Sequence, residues 1–218
     1  MKLTDQLYEG VQDIWQGYYT HPFVQGIAHG TLPVEKFRYY MIQDYRYLLD
    51  YVKVFALGVV KSDTEELMRY FAKFVYGTLD GEMRVHKSYM ARLGITQEEI
   101  EQSVSALNNL SYTHYMLTIA HQGDPLDALV SILACAWSYQ CIGQEVAKVP
   151  GSKDHPFYGE WVRSYSDPDY ETGTQDMIDL IDRLGEGCTP EKQARLLEIF
   201  RNCSRYEAMF WDMAYAMQ

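Results

Sequence analysis

Apolar positions recur three or four residues apart through nearly every stretch between turn signals, the period of one helix face rather than the alternation of a half-buried strand. The stretches are too long for strands and rich in Leu, Met, Glu, Lys, Arg and Ala, all good helix formers. The pattern predicts an all-α protein with helices over roughly 3–19, 22–29, 33–61, 64–93, 97–105, 109–122, 125–148, 156–165, 170–185 and 190–217. Punctuation agrees. Pro33 stands at a first helical turn, Asp63-Thr-Glu-Glu66 and Thr96-Gln-Glu-Glu99 read as capping boxes, and Gly94 is a stop. Asp124-Pro125 and Thr189-Pro190 each put a capping side chain directly before a proline.

Short connections predict antiparallel neighbours in a bundle. The likeliest break, Val149 to Asp154, is only a handful of residues, and charge and composition do not shift across it. Residues 1–218 are therefore expected to form a single helical-bundle domain. The longest uncharged run, Ala128 to Gln144, falls short of the roughly 20 apolar residues of a membrane span and holds Ser131, Ser138, Tyr139 and Gln140. It reads as a buried helix.

Composition narrows the function. With 47% hydrophobic and 22% charged residues the chain is that of a folded globular protein. A formal net charge of −11 repels phosphate backbones and anionic lipid, so neither nucleic acid nor a membrane surface is an expected partner. The opening MKLTDQLYEG has acids by its fifth residue and no apolar segment before a cleavage site, so the expected location is cytoplasmic. The 4 cysteines form no C-x-x-C pair and are expected as thiols. The 19 tyrosines suit a pocket for a flat ring or simply the filling of helix interfaces.

Three constellations carry candidate chemistry. Tyr40, Asp44, Tyr47 and Tyr51 share one helix face, which puts an acid inside an aromatic wall. If the face is buried, Asp44 needs donors such as a ligand amine; if it is exposed, the tyrosines merely flank a solvated acid. On the uncharged helix Ser131, Cys135 and Tyr139 share a face, and Cys135 is either a nucleophile or an inert core thiol. In the last helix Glu207 lies one turn from Cys203 and close to Phe210 and Trp211. It is either a general acid and base with a raised pKa or a charge snorkelling at a helix edge. Cys141 and Cys188 are given no role. Glu82 and His86 have the spacing of two metal ligands, but the remainder of a di-metal site is missing, and no metal is expected. No Gly-rich phosphate loop, G-x-S-x-G or H-E-x-x-H occurs.

Five motifs in order resemble the thiaminase II family of TenA-type aminopyrimidine aminohydrolases. They are Phe37, Tyr40, Gln43 and Asp44 leading into Gln43-Asp-Tyr-Arg-Tyr47; Tyr112; Leu133-Ala-Cys-Ala-Trp-Ser-Tyr139; Trp161-Val-Arg-Ser-Tyr165; and Glu207 with Trp211. The resemblance implies a haem-oxygenase-like helical fold without haem, a homotetramer and no cofactor. It implies as substrate a small 4-amino-2-methylpyrimidine carrying a leaving group on its 5-methylene, either the aminomethyl pyrimidine of thiamin salvage or thiamin itself. It also implies roles. Cys135 adds to the ring, Glu207 handles the ring proton, and Asp44 orients the 4-amino edge. Tyr47 stacks, and Tyr112, Tyr139 and Tyr165 supply hydroxyls, with Tyr158 and Tyr170 as alternatives to Tyr165. A family branch carries a carboxylate in place of the cysteine; this chain matches the thiol branch. Two other classes compete: a pyrimidine-binding regulatory protein without turnover, and a metal-dependent oxidase on the same scaffold.

Overall fold

In the computed structural model, which describes residues 1–218, every regular element is helical. In chain order these are α1 (Leu3–Glu9), α2 (Gln12–Thr20), α3 (Pro22–Ala28), α4 (Val34–Lys61) and α5 (Glu65–Gly77). A π-helical turn (Thr78–Glu82) leads into α6 (Met83–Arg92), followed by α7 (Gln97–Gln102), α8 (Leu107–Gln122) and α9 (Pro125–Ala147). The last are α10 (Gly159–Tyr165), α11 (Pro168–Gly185) and α12 (Pro190–Ala216).

The caps explain most of the boundaries. Asp124 and Asp127 close a reciprocal capping box before α9: the Asp127 amide donates to Asp124 Oδ1 at 3.0 Å and the Asp124 amide to Asp127 Oδ2 at 3.1 Å. Thr96 caps α7 by accepting from the Glu99 amide at 3.2 Å, but the Glu99 carboxylate pairs with Arg38 instead of closing the box. At α5 the cap is Thr64, which accepts from the Leu67 amide at 3.3 Å, one residue later than the Asp63 box predicts. Asp167-Pro168 starts α11 as Asp124-Pro125 starts α9, with Asp167 Oδ1 accepting from the Asp169 amide at 2.8 Å.

Two expected helices are interrupted. The 3–19 segment is two helices, because the chain at Gly10 lies against α12: a Cβ there would meet Leu197 at 2.4 Å. The freed Gly10 carbonyl accepts from Arg201, whose guanidinium also grips Asp13 with two bonds of 2.9 and 2.7 Å. The 64–93 segment contains the π turn at Thr78–Glu82, next to Gly77 and including Gly81, residues of low helix propensity.

The helices build two compact units, Met1–Pro33 with Leu129–Asp212, and Val34–Ala128 with Met213–Gln218. In the second, α4 is the spine. Phe37, Tyr40, Met41, Asp44, Tyr47, Leu48, Tyr51, Val52, Phe55 and Gly58 form one buried face at helical spacing, with Gly58 leaving room for the Phe71 ring. Gln43 is a structural pin: its amide donates to the Val104 carbonyl at 2.9 Å and accepts from the Ala106 amide at 2.9 Å. In the first unit Thr4 ties α1 to Asp182 of α11, and the Tyr158 hydroxyl donates to the Leu32 carbonyl at 2.6 Å. Helix α9 is long and apolar enough to cross a membrane by length and composition, yet 72% of its most apolar window is buried within the protein, as the core-helix reading expects.

Close approach of α9 to α10 depends on Gly143, where a Cβ would sit 2.5 Å from the backbone carbonyl of Tyr165. Gly143→Ala should therefore cost about 1–3 kcal/mol, lowering the thermal midpoint by about 2–4 °C per kcal/mol for a chain of this size. An unchanged midpoint in a calorimetric scan would show that the two helices separate without cost.

Candidate active site

Four of the seven candidate residues fall in the first unit: Cys135 and Tyr139 on α9, Tyr165 on α10 and Glu207 on α12. Cys135 is half-buried, flanked in sequence by the buried Ala134 and the half-buried Ala136. One turn on, the Tyr139 ring lies 4.8 Å from Tyr165 and 5.2 Å from Trp211, and Phe23 stands 5.6 Å from Trp211. An aromatic wall thus joins α3, α9, α10 and α12. Of the two alternatives to Tyr165, Tyr158 gives its hydroxyl to Leu32 and Tyr170 gives its own to the Ala136 carbonyl at 3.3 Å.

Glu207 is only 2% exposed, so the snorkelling alternative does not describe it. Ser204, one turn before it on α12, is tied to α2. Trp15 donates through Nε1 to Ser204 Oγ at 3.1 Å, and the Tyr18 hydroxyl donates to the Ser204 carbonyl. Burial pushes the Tyr18 hydroxyl well above its ordinary range, and the Glu207 charge adds to this, with smaller contributions from Cys135 and Cys203. Tyr18 therefore stays a neutral donor within electrostatic reach of the acid and both thiols. Sequence reasoning did not single out Tyr18, since nothing local distinguishes it from the other tyrosines.

The thiols differ in environment. Cys203 is fully buried and pushed far up, first by burial and then by the neighbouring Glu207 charge. Burial raises Cys141 to about 11 despite a hydrogen bond with Tyr19. Both are protonated at neutral pH and poor nucleophiles.

The other three candidates lie in the second unit. Asp44 is 4% exposed, which removes the solvated alternative, and its donor comes from the protein: His86 Nε2 lies 2.5 Å from Asp44 Oδ2. His86 Nδ1 lies 3.0 Å from the Glu82 carbonyl oxygen. A carbonyl and a carboxylate can only accept, so both ring nitrogens carry hydrogen and the ring is an imidazolium. Burial alone pulls the His86 pKa down, but the Asp44 hydrogen bond and charge, with Glu82 adding, raise it above the ordinary value. The Glu82–His86 spacing thus has a structural explanation through a main-chain oxygen. Tyr47 packs its ring 5.3 Å from both Tyr51 and Tyr112 and donates its hydroxyl to Met116 Sδ at 3.8 Å, so the stripe is buried along its whole length.

Because the folded pKa of His86 is raised above 6.5, the ion pair stabilises fully below about pH 6.5 and is lost as pH rises through the folded value. Breaking a buried pair from one side costs about 3–5 kcal/mol. The thermal midpoint of Asp44→Asn should accordingly trail the wild type most in mildly acidic buffer, and the gap should narrow in alkaline buffer. A gap independent of pH would mean that His86 is neutral.

Comparison with known proteins places these residues in a family. The chain is 43% identical over 215 residues, 99% of this chain and 96% of the relative, to the aminopyrimidine aminohydrolase of Halalkalibacterium halodurans. It is 42% identical over 215 residues, 99% of both chains, to the aminopyrimidine aminohydrolase of Helicobacter pylori. Its fold superposes on a TenA homologue from P. horikoshii with a TM-score of 0.91 at 28% identity, covering 100% of each chain. The all-helical architecture is of the haem-oxygenase-like type. The model of the TENA/THI-4/PQQC family matches residues 8–217, and the chain, TenA-like in sequence as in fold, belongs to that family.

Proposed function

We propose that the protein is an aminopyrimidine aminohydrolase of the thiaminase II type, which replaces the 5-aminomethyl group of a 4-amino-2-methylpyrimidine by hydroxymethyl and releases ammonia in thiamin salvage. The near-full-length likeness to two aminopyrimidine aminohydrolases carries this reading. The structure supports it through a buried Glu207 and a half-buried Cys135, both within electrostatic reach of the Tyr18 hydroxyl.

In this reading Glu207 donates a proton to ring N1, which makes the ring electrophilic. The Cys135 thiolate then forms a bond to ring C6 and breaks the aromaticity. The electron pair released into the ring expels the substituent on the 5-methylene, which takes up a proton from solvent and leaves as ammonia. Water adds to the exocyclic methylene and returns a proton to solvent. The C6–S bond breaks, the thiolate departs, aromaticity returns, and the N1 proton goes back to Glu207. The net change is substrate plus water to hydroxymethyl pyrimidine plus ammonia. Asp44 accepts from the 4-amino group and fixes the ring, Tyr47 stacks on it, and Tyr112, Tyr139 and Tyr165 supply hydroxyls around the thiol and leaving group. Thiamin enters the same scheme with its thiazole as leaving group. The protein acts as a cytoplasmic homotetramer on a small molecule, without a cofactor.

Ammonia release from aminomethyl pyrimidine is the direct test. Wild-type turnover should vanish in Cys135→Ala, and Glu207→Gln should keep affinity within about tenfold while slowing turnover by ~10²-fold or more. Asp44→Asn should weaken binding as well as rate, as befits a lost charge-assisted contact of about 1.5–3 kcal/mol. Binding without turnover in the wild type would point to a pyrimidine sensor. Turnover that persists in Cys135→Ala would remove the covalent step.

A further inference from the structure

Beyond the residues given roles in the proposed reaction, His86 is the buried group with the most directed geometry. It is 2% exposed, and both of its ring nitrogens are committed, to Asp44 Oδ2 at 2.5 Å and to the Glu82 carbonyl at 3.0 Å. An imidazole held at both ends cannot rotate, so the carboxylate it touches is held as well. The anchor at the Glu82 end is the last residue of the π turn. Asp44 has a side chain only 6% exposed, and its Oδ1 takes no hydrogen bond from the protein, which leaves that oxygen for a ligand donor.

We infer that His86 is a positioning residue for Asp44 and the source of the site's preference for an amino over an oxo group at the pyrimidine 4-position. This rests on the proposed function, in which Asp44 grips the 4-amino edge. A carboxylate only accepts, so Asp44 welcomes the two hydrogens of an amino group and repels the lone pairs of a 4-oxo group. The imidazole holds Oδ2 at 2.5 Å and thereby aims Oδ1 at the amino edge. Without His86 the carboxylate loses the bond that aims it and can turn away, and discrimination fades.

Calorimetric affinities for 4-amino-5-aminomethyl-2-methylpyrimidine and its 4-oxo counterpart test this in the full-length protein. His86→Leu should weaken the amino ligand by roughly tenfold or more, the scale of a charge-assisted contact. It should leave the oxo ligand within about threefold, so that the preference collapses. His86→Gln, which keeps a donor without the charge, should recover part of that preference; it also serves if His86→Leu does not fold. In an Asp44→Asn background, replacing His86 by Gln should remove no further preference, because His86 acts through Asp44. Equal losses for both ligands, or additive losses in the double variant, would overturn the positioning role. Wild-type protein that discriminates between the ligands but releases no ammonia would overturn the proposed activity and leave this inference standing. Ammonia release with an unchanged preference in the His86 variants would do the reverse. A wild type that binds neither ligand would overturn both.

Discussion

A carboxylate withdrawn from water has to be answered by a cation, by hydrogen bonds or by a proton, and the protein meets that constraint twice. Asp44 is answered by a cation, the imidazolium of His86, which is itself held by a main-chain carbonyl. Glu207, equally withdrawn, lies within electrostatic reach of neutral groups, the Tyr18 phenol and the Cys203 thiol, which burial keeps protonated.

The scaffolding around both acids is aromatic. Rings from α3, α9, α10 and α12 pack together on the elements that carry Cys135 and Glu207, and the tyrosines of α4 pack with Tyr112 along the face that carries Asp44. Flat rings pack closely and leave few small polar partners, which keeps water out and keeps the local dielectric low. Glycine sets how closely helices meet. Gly143 admits the Tyr165 backbone, and Gly58 admits the Phe71 ring. An all-helical framework of this type holds reactive side chains on rigid elements rather than on loops.

Much of this was legible in the sequence wherever the signal is local. The buried face of α4 follows from apolar spacing, and Asp124 and Thr189 cap where their positions before a proline predict. What was not legible depends on distant partners. Nothing near Gly10 announces that Leu197 and Arg201 will divide the first helix. The Asp63 box gives way to Thr64 because either side chain can cap, and the choice is made by where the helix must begin. The spacing of Glu82 and His86 reads as a metal pair, because an i to i+4 pattern cannot reveal a carboxylate 42 residues away. Candidate acids and thiols were visible from helix faces, whereas their burial and the identity of their partners came only with tertiary structure.

The π turn at Thr78–Glu82 governs the azimuth of everything that follows it in α6. Each residue advances an α-helix by about 100°, and the wide turn spends one residue more than a regular turn on the same rotation. The same residues wound as regular α-helix would swing the imidazole about a quarter-turn from the acid and bring Val85 round in its place. A wide turn that looks like a defect in the helix thus fixes the angular register of a buried charge.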